Sequence, residues 1–177
     1  VRKPLVVFTP KSGLRAKATR SPLSAFTSGS FEEVLDDTGV RDPQSVKRII
    51  LASGKVANEA IAHRDSHEVG TVAVVRVEQL YPWPTRALAN AVARYPNSTE
   101  GVWLQEEPAN MGAWEFARTL LEPLAEARKV PLRYIGRPRS ASPSEGSAAW
   151  HRMNQRVIVA DAFAVAATRP ASTLATN

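Results

Sequence analysis

The sequence predicts an α/β domain with a doubly wound, mostly parallel sheet and helices on both of its faces. Short apolar, β-branched runs alternate with amphipathic stretches of about 10–15 residues, as they do in βαβ units. Crossovers between parallel strands are right-handed, so a sheet wound in both directions carries helices on both faces. The 177 residues, 44% of them hydrophobic, are enough for one domain with a sizeable core.

The first half of the pattern predicts two strands, over 49–52 and 71–77, and two helices, over 55–66 and 86–95. The first strand is a continuous apolar run and the second is mostly β-branched, which is typical of strands buried on both faces. Thr85 is the expected N-cap of the second helix. The helical side chains expected to face the sheet are Val56, Ala57, Ala60, Ile61, Leu88, Ala91 and Val92.

The second half predicts strands over 101–105 and 132–135 and helices over 113–122 and 147–167. Pro123 is expected to end or kink the third helix, because proline removes a backbone donor. Residues 136–146 are rich in Ser, Pro and Gly and predict a loop. The residues that share one side of these two helices are Trp114, Ala117 and Leu121, and Trp150, Met153, Val157 and Ala164.

Residues 1–45 do not follow this rhythm, and we interpret them as a basic lead-in and approach segment from a preceding domain. Positions 4–8 are strand-like, whereas 21–41 are irregular. Residues 1–20 contain six Lys and Arg and no acid, which equals the net charge of +6 of the whole chain. The charge is therefore local and indicates an interface. The α/β domain is predicted to span 46–168, and the tail 169–177 is expected to fray.

The composition excludes several classes of function. The chain has no cysteine, which rules out disulfides, thiolate metal sites and a cysteine nucleophile. It has no apolar run of the roughly 20 residues that span a bilayer and no signal peptide, so we expect a soluble intracellular domain with no membrane partner. The lead-in cations are not interleaved with aromatic residues beyond Phe8 and Phe26, and no nucleic-acid partner is expected. His63 and His67 are four residues apart but lack a third ligand, so no metal site is predicted.

Basic residues at two turns are candidates for contacts to an anion. Lys55 follows Ser53 and Gly54 where a strand turns into a helix, and this combination suits a phosphate or carboxylate. The alternative is an ordinary turn with a solvated lysine. Arg137 and Arg139 lie beside several serines, and guanidinium groups match phosphate geometry. The alternative there is a solvated loop that pairs with acids of a partner subunit.

Paired acids follow the third strand. Gln105, Glu106, Glu107 and Asn110 lie at the carboxyl end of that strand, where ligands of open α/β sheets bind. Two carboxylates there could carry out acid–base chemistry. No histidine is near in sequence to share a proton, so we predict a structural loop and assign no catalytic residue.

Several motifs together resemble a known family. They are the segments 2–12 (RKPLVVFTPKS), 53–55 (SGK), 75–82 (VRVEQLYP), 105–114 (QEEPANMGAW), 134–138 (YIGRP) and 140–143 (SASP), followed by His151, Gln155, Ala162 and Phe163. In this order, over about residues 1–163, they resemble the C-terminal part of the thiamine-diphosphate-dependent first component of the 2-oxoglutarate dehydrogenase complex, or of 2-oxoglutarate decarboxylase.

The resemblance implies a transketolase C-terminal-like domain within a larger oxidoreductase. In that family, thiamine diphosphate and magnesium serve the oxidative decarboxylation of 2-oxoglutarate in the tricarboxylic acid cycle. The succinyl unit then passes to a lipoyl-bearing succinyltransferase component. The thiamine motif and substrate histidines lie upstream of this domain, so the chain alone is expected to bind no cofactor and to be non-catalytic.

The resemblance also implies roles for the domain and its residues. These are assembly of a homodimer and, in some members, an allosteric site for acetyl-CoA or a nucleotide. Lys11, Arg15, Lys55 and Arg137 match positions where the family places basic side chains, and with Arg139 they are the candidate phosphate contacts. The implied location is the bacterial cytoplasm, or the mitochondrial matrix in a eukaryote. The alternative function is a free-standing regulatory module that binds a nucleotide or acyl-CoA.

Overall fold

The computed structural model of the chain describes residues 3, 4, 6–8 and 11–164. The strands within these residues are β1 (Val34–Leu35), β2 (Arg48–Ala52), β3 (Val72–Val77), β4 (Glu100–Pro108) and β5 (Leu132–Arg137). The helices are α1 (Ser24–Thr27), α2 (Lys55–Ser66), α3 (Thr85–Ala93), α4 (Trp114–Arg128) and α5 (Ala148–Phe163). Short 3-10 turns occupy Lys11–Leu14, Lys17–Thr19 and Pro43–Ser45. The tail 169–177, predicted to fray, lies outside the described residues.

The five strands form one sheet in the order β1-β3-β2-β4-β5. The pairs β2–β3, β2–β4 and β4–β5 are parallel, and only the edge strand β1 is antiparallel to its neighbour β3. From β2 the chain first moves outward to β3 and then crosses back to β4 on the other side of β2. This change of direction confirms the predicted doubly wound, mostly parallel sheet.

Two apolar layers, one on each face of the sheet, make up the core. Successive strand residues point to opposite faces, so β2 supplies Ile49 and Leu51 to one layer and Ile50 and Ala52 to the other. Helices α3 and α4 cover the first layer, and α2 and α5 cover the second. The prediction of helices on both faces is therefore confirmed. Within the described ranges, no helix combines the length and apolar character needed to cross a membrane.

The third helix does not end at Pro123, so that part of the prediction is wrong. Helix α4 continues through Pro123 and ends at Arg128, where Lys129 takes a left-handed conformation with φ of 56°. Leu121 before the proline and Leu124 after it both pack against the core. We attribute the continuation to this packing, which outweighs the hydrogen bond that proline removes.

The structure decides which side of α5 faces the sheet, a choice that the sequence pattern left open. The stripe of Trp150, Met153 and Val157 is 58%, 46% and 50% exposed. The side chains on the sheet are instead Gln155, Ile158, Val159 and Ala162. The helix has apolar residues on both sides, so periodicity alone does not decide which side faces the sheet. Ala164 follows the helix as its C-cap.

Residues 21–41, predicted to be irregular, contain α1 and β1, and β1 extends the sheet. The strand-like segment 4–8 forms no strand at its described positions 4 and 6–8. Thr85 is the first residue of α3 and not its cap, because Pro84 occupies the N-cap position and the helix has no side-chain cap. Residues 3–35 of the described chain therefore contribute only a short edge strand to the sheet.

Two adjacent aspartates attach the end of β1 to opposite faces of the sheet. Asp37 is buried, accepts a hydrogen bond from Val74 N at 2.7 Å and forms an ion pair with Arg64 of α2. Asp36 accepts from the hydroxyl of Tyr95 at 2.5 Å and pairs with Arg94, after α3. Burial, followed by the hydrogen bond to Asp36, raises the pKa of Tyr95 well above its ordinary value. These contacts form a clamp between the segment before residue 46 and the sheet.

Candidate functional site

The carboxyl ends of β2 and β4 meet where the winding of the sheet reverses, which is where open α/β sheets bind their ligands. A two-residue turn, Ser53 and Gly54, leads from β2 into α2. Gly54 has φ of +73°, a left-handed conformation that glycine adopts without steric cost. The turn therefore places Lys55 at the first position of α2, beside the end of β4.

Lys55 lies between two carboxylates. Its Nζ is 3.0 Å from Oε1 of Glu59, one helical turn later, and 2.9 Å from Oε2 of Glu106 in β4. Burial opposes the charged ammonium, but the hydrogen bonds and negative charges of Glu106 and Glu59 outweigh it and raise the pKa of Lys55. Lys55 is thus a paired lysine and not a solvated one.

Gln155 connects this lysine to the arginine predicted from the later loop. The buried amide of Gln155 donates to Oε2 of Glu59 at 2.7 Å and to Oε2 of Glu106 at 3.1 Å. Its Oε1 accepts from Arg137 at 3.2 Å. Sequence reasoning did not select Gln155 as a site residue. The available signal was a polar side chain flanked by apolar residues of the helix face that packs on the sheet.

Arg137 is the last residue of β5 and is only 8% exposed. Its Nε donates to Oε1 of Glu145 at 2.7 Å, and its guanidinium also donates to the backbone carbonyl of Glu106. Asn154 donates to the same Oε1 of Glu145 at 2.7 Å. Hydrogen bonds from Arg137 and then Asn154 lower the pKa of Glu145. The solvated-loop alternative is therefore wrong for Arg137, which is held by an acid of its own chain.

The other predicted phosphate contacts lie apart from this network. Arg139 is exposed and forms an ion pair with Glu115 at 3.1 Å. Lys11 and Arg15 are exposed in the lead-in, and no hydrogen bond or ion pair among the described residues joins them to Lys55 or Arg137. The structure brings together two of the five candidates, Lys55 and Arg137.

The predicted loop of Gln105, Glu106 and Glu107 is part of a strand. Strand β4 continues to Pro108 because it pairs with β5 as far as Arg137, with an irregularity after Leu104. Asn110 alone of the four predicted residues lies in the following turn, where its side chain accepts from Ser140 N at 3.0 Å and donates to Ser140 O at 2.9 Å.

Gln105 organises this end of the sheet. Its Oε1 accepts from Trp103 Nε1 at 3.0 Å and from Trp114 N at 2.9 Å, and its Nε2 donates to Met111 O at 2.8 Å. Tyr134 of β5 donates its hydroxyl to the carbonyl of Arg137 at 2.8 Å. Burial raises the pKa of Tyr134 to about 12. The side chain of Gln105 thus fixes the path of the chain from β4 into α4.

The network at the switch point joins α2, β4, β5 and α5. Its cations, Lys55 and Arg137, are already paired with the carboxylates of Glu59, Glu106 and Glu145. His151 Nδ1 lies 3.7 Å from Glu145 Oε2. In the part of the chain that the structure describes, no group of three His, Cys, Asp or Glu side chains could hold a metal ion. The arrangement suits fastening of four elements and the binding of a charged ligand at its rim.

The known proteins similar to this chain have names that refer to 2-oxoglutarate. The chain is 46% identical over 164 residues to the 2-oxoglutarate dehydrogenase E1 component of Cupriavidus necator, a match that spans 92% of this chain and 17% of the relative. Identity to the E1 component of Shouchella clausii is 42%, over 91% of this chain and 17% of that protein. A multifunctional 2-oxoglutarate metabolism enzyme of Mycobacterium sp. (strain JLS) is 43% identical, over 93% of this chain and 13% of its own length.

A solved structure and a family model complete the comparison. The inactive β4 tetramer of a split-gene transketolase superposes with a TM-score of 0.47 and 19% identity, over 66% of this chain and 37% of that one. The sequence model of the family described as 2-oxoglutarate dehydrogenase C-terminal matches residues 20–163. With that match over most of its length, and with relatives up to 46% identical over 92% of it, the chain belongs to the 2-oxoglutarate dehydrogenase C-terminal family.

Proposed function

We propose that this chain acts as the C-terminal domain of the first component of a 2-oxoglutarate dehydrogenase or decarboxylase and serves assembly and regulation, not chemistry. The observation that carries the proposal is the match to the Cupriavidus necator E1 component, 46% identical over 92% of this chain but only 17% of that protein. The catalytic parts of the enzyme then belong to other segments of the same polypeptide. The proposed location is the bacterial cytoplasm, or the mitochondrial matrix in a eukaryote.

The parent enzyme uses thiamine diphosphate and magnesium to decarboxylate 2-oxoglutarate in this proposal. We place neither group on the described residues, among which no cluster of three His, Cys, Asp or Glu side chains could hold a metal ion. The charged side chains at the switch point hold one another. Their contribution is to keep the domain rigid where it meets the rest of the enzyme.

The assembly role is supported by the lead-in, which exposes large apolar side chains. Phe8, Phe26 and Phe31 are 95%, 76% and 70% exposed, and large apolar side chains are usually buried. We infer that this segment packs against the preceding thiamine-binding domains or the second subunit of a homodimer. The succinyl product of the parent enzyme passes to a lipoyl-bearing succinyltransferase component.

The regulatory role is the binding of acetyl-CoA or a nucleotide at basic side chains. Lys55 and Arg137 support it through their place at the switch point of the sheet, and Lys11, Arg15 and Arg139 are proposed to extend the site in the assembled enzyme. Because carboxylates already pair with Lys55 and Arg137, an anionic effector binds there only by competing with Glu106 or Glu145.

The test compares three proteins: the intact enzyme, the enzyme without residues 20–163, and the 177-residue chain alone. Decarboxylation of 2-oxoglutarate is measured with thiamine diphosphate and magnesium, and subunit mass by light scattering. We expect turnover and a dimer for the intact enzyme, loss of both on deletion, and no turnover by the chain alone. Turnover by the chain alone, or an intact protein inactive on 2-oxoglutarate, contradicts the proposal.

Acetyl-CoA titration of the same proteins separates the alternative function. If the chain is a free-standing regulatory module, the chain alone should bind acetyl-CoA saturably. Deletion of residues 20–163 should then leave the turnover of 2-oxoglutarate unchanged. Arg139→Ala, at an exposed position, is the variant to compare, because Arg137→Ala removes a buried ion pair and would confuse binding with folding.

A further inference from the structure

A cleft of about 720 Å³ opens between α2 and α5, beside the network at the switch point. Its charged and ionisable lining is Lys55, Glu59, His63, His151, Arg152 and Arg156. Gln155, Val159 and Ala160 complete the wall. Basic side chains therefore outnumber acidic ones in this cleft, although residues 21–177 as a whole carry as many acids as bases.

Arg152 and Arg156 are the cations of the cleft without a counterion. Among the described residues, neither forms an ion pair or a side-chain hydrogen bond. The cleft's single acid, Glu59, is already engaged by Lys55 at 3.0 Å and Gln155 at 2.7 Å. Four other exposed arginines form ion pairs with carboxylates, namely Arg94, Arg118, Arg133 and Arg139. Among the described residues, the exposed Arg41 and Arg86 also form no ion pair, but they do not line this cleft. The charges of Arg152 and Arg156 are thus uncompensated among the described residues, whereas the charge of Lys55 is paired.

The spacing of the two arginines indicates the kind of ligand. Residues four apart on a helix lie on the same face with about 5–6 Å between their Cβ atoms, and like charges placed so repel each other. A ligand with two linked anionic groups relieves this repulsion by offering one group to each guanidinium. Phosphates match the planar fork of arginine, which can donate two hydrogen bonds to one phosphate.

We propose that the cleft between α2 and α5 binds a diphosphate group, held by Arg152 and Arg156 with Lys55 at its inner end. The group is either free or part of a nucleoside diphosphate. The site adds a ligand class to the proposed effector role. Only the regulatory consequence of binding, and not the binding itself, rests on the proposed function. Its main contacts, Arg152 and Arg156, lie outside the five phosphate contacts inferred from the sequence.

The test is a calorimetric titration of the intact protein with inorganic pyrophosphate, inorganic phosphate and ADP, in phosphate-free buffer. The binding variant is Arg152→Ala/Arg156→Ala, whose positions are exposed. The matched control is Arg118→Ala, an exposed arginine of α4 on the other face of the sheet. We expect saturable pyrophosphate binding, at least about tenfold weaker in the double variant and unchanged in the control. Pyrophosphate should bind more tightly than phosphate, because only it spans both guanidinium groups.

The affinities for ADP, pyrophosphate and phosphate distinguish the possible ligands and test the site. Tighter binding of ADP than pyrophosphate identifies the nucleotide as the source of the diphosphate, and equal or weaker binding identifies the free anion. Absence of pyrophosphate binding, equal affinity for phosphate and pyrophosphate, or equal weakening by Arg118→Ala overturns the proposal. Decarboxylation of 2-oxoglutarate by the wild-type protein is measured separately. Failure of the titration with turnover intact removes only this inference, whereas absence of turnover removes the proposed function.

Discussion

Large apolar side chains are exposed in the lead-in of this chain, whereas side chains of the same kind are buried in its body. Leu23 in the lead-in is 77% exposed, whereas Leu104 in β4 is fully buried. The difference does not lie in residue type but in what each segment can pack against. A sheet with helices on both faces encloses the apolar residues of the body, whereas the lead-in contributes only a two-residue edge strand.

The clamp at Asp36 and Asp37 is the boundary between the two regions, and it also has two unlike halves. Asp37 and Arg64 are both buried, while the side chain of Arg94, the partner of Asp36, is more than half exposed. The buried ion pair between Asp37 and Arg64 therefore adds to the pairing of β1 with β3 in attaching the lead-in to the body. Substitutions in the clamp and substitutions in the core of the body can therefore be made separately, and their effects on the free energy of unfolding can be compared.

The largest effect is expected from Arg64→Met, which leaves Asp37 buried without its counterion. Breaking a buried pair by removing one partner costs about 3–5 kcal/mol of unfolding free energy, because the remaining charge stays desolvated. The measurement is urea unfolding of the wild type and the variant. Arg94→Met is the matched control and should cost about 0–1 kcal/mol, as exposed pairs do. Equal losses in the two variants would contradict the unequal clamp.

The next effect compares one chemical change in both regions. Leu104→Ala should lower the unfolding free energy by about 2–5 kcal/mol, because it removes buried methyl groups and leaves a cavity. Leu23→Ala should change it by less than about 0.5 kcal/mol, since the side chain is exposed. Thermal unfolding of both variants is the measurement. A large loss for Leu23→Ala would mean that the lead-in packs on the body in solution.

A smaller effect is expected at Gln105, whose amide joins Trp103, Met111 and Trp114. Gln105→Leu keeps the volume but leaves the indole N–H of Trp103 and the backbone N–H of Trp114 without their acceptor. The expected loss is about 1–3 kcal/mol in urea unfolding. Asn110→Ala, in the exposed turn, is the control and should cost less. A neutral Gln105→Leu variant would show that water replaces these bonds.

The smallest effect concerns acid stability. Arg137 and Asn154 lower the pKa of Glu145 in the folded chain, so its carboxylate stabilises the fold above its ordinary pKa of 4.5. That contribution is lost as the pH falls through the lowered value. Glu145→Gln should therefore be less stable than the wild type near neutral pH, with the difference shrinking below about pH 4.5. Unfolding curves across this range measure it, with Glu122→Gln, an exposed position, as the control. A difference that does not depend on pH would contradict the ion pair.

Sequence patterns predicted the elements of the body more accurately than its polar contacts. The strands and helices from 48 to 163 follow the predicted order, because burial on both faces leaves continuous apolar runs that are readable along the chain. Local signals were less reliable. Pro123 neither stopped α4 nor fixed its end, and Thr85 starts α3 without capping it, because packing on the sheet outweighs single-residue preferences.

Side-chain partners between distant segments could not be read from the sequence. Lys55 and Arg137 were both selected as candidates, but the acids that pair with them and the amide of Gln155 that joins them come from other elements. The rotation of α5 was also undetermined, because the helix has apolar residues on both sides. In the folded chain, Ile158 and Ala162 pack on the sheet, and the opposite side of the helix faces outward.

The sequence by itself determined the fold class, the order of the main elements and the family, because apolar periodicity and linear motifs are local properties of the chain. The tertiary structure alone decided which charges are neutralised and which are free. Ion pairing depends on distances between segments that are far apart in sequence, such as Lys55 with Glu106 or Asp37 with Arg64. The folded chain therefore identifies Arg152 and Arg156, whose charges lack partners among the described residues, as the cations of the cleft that are free to bind an anion.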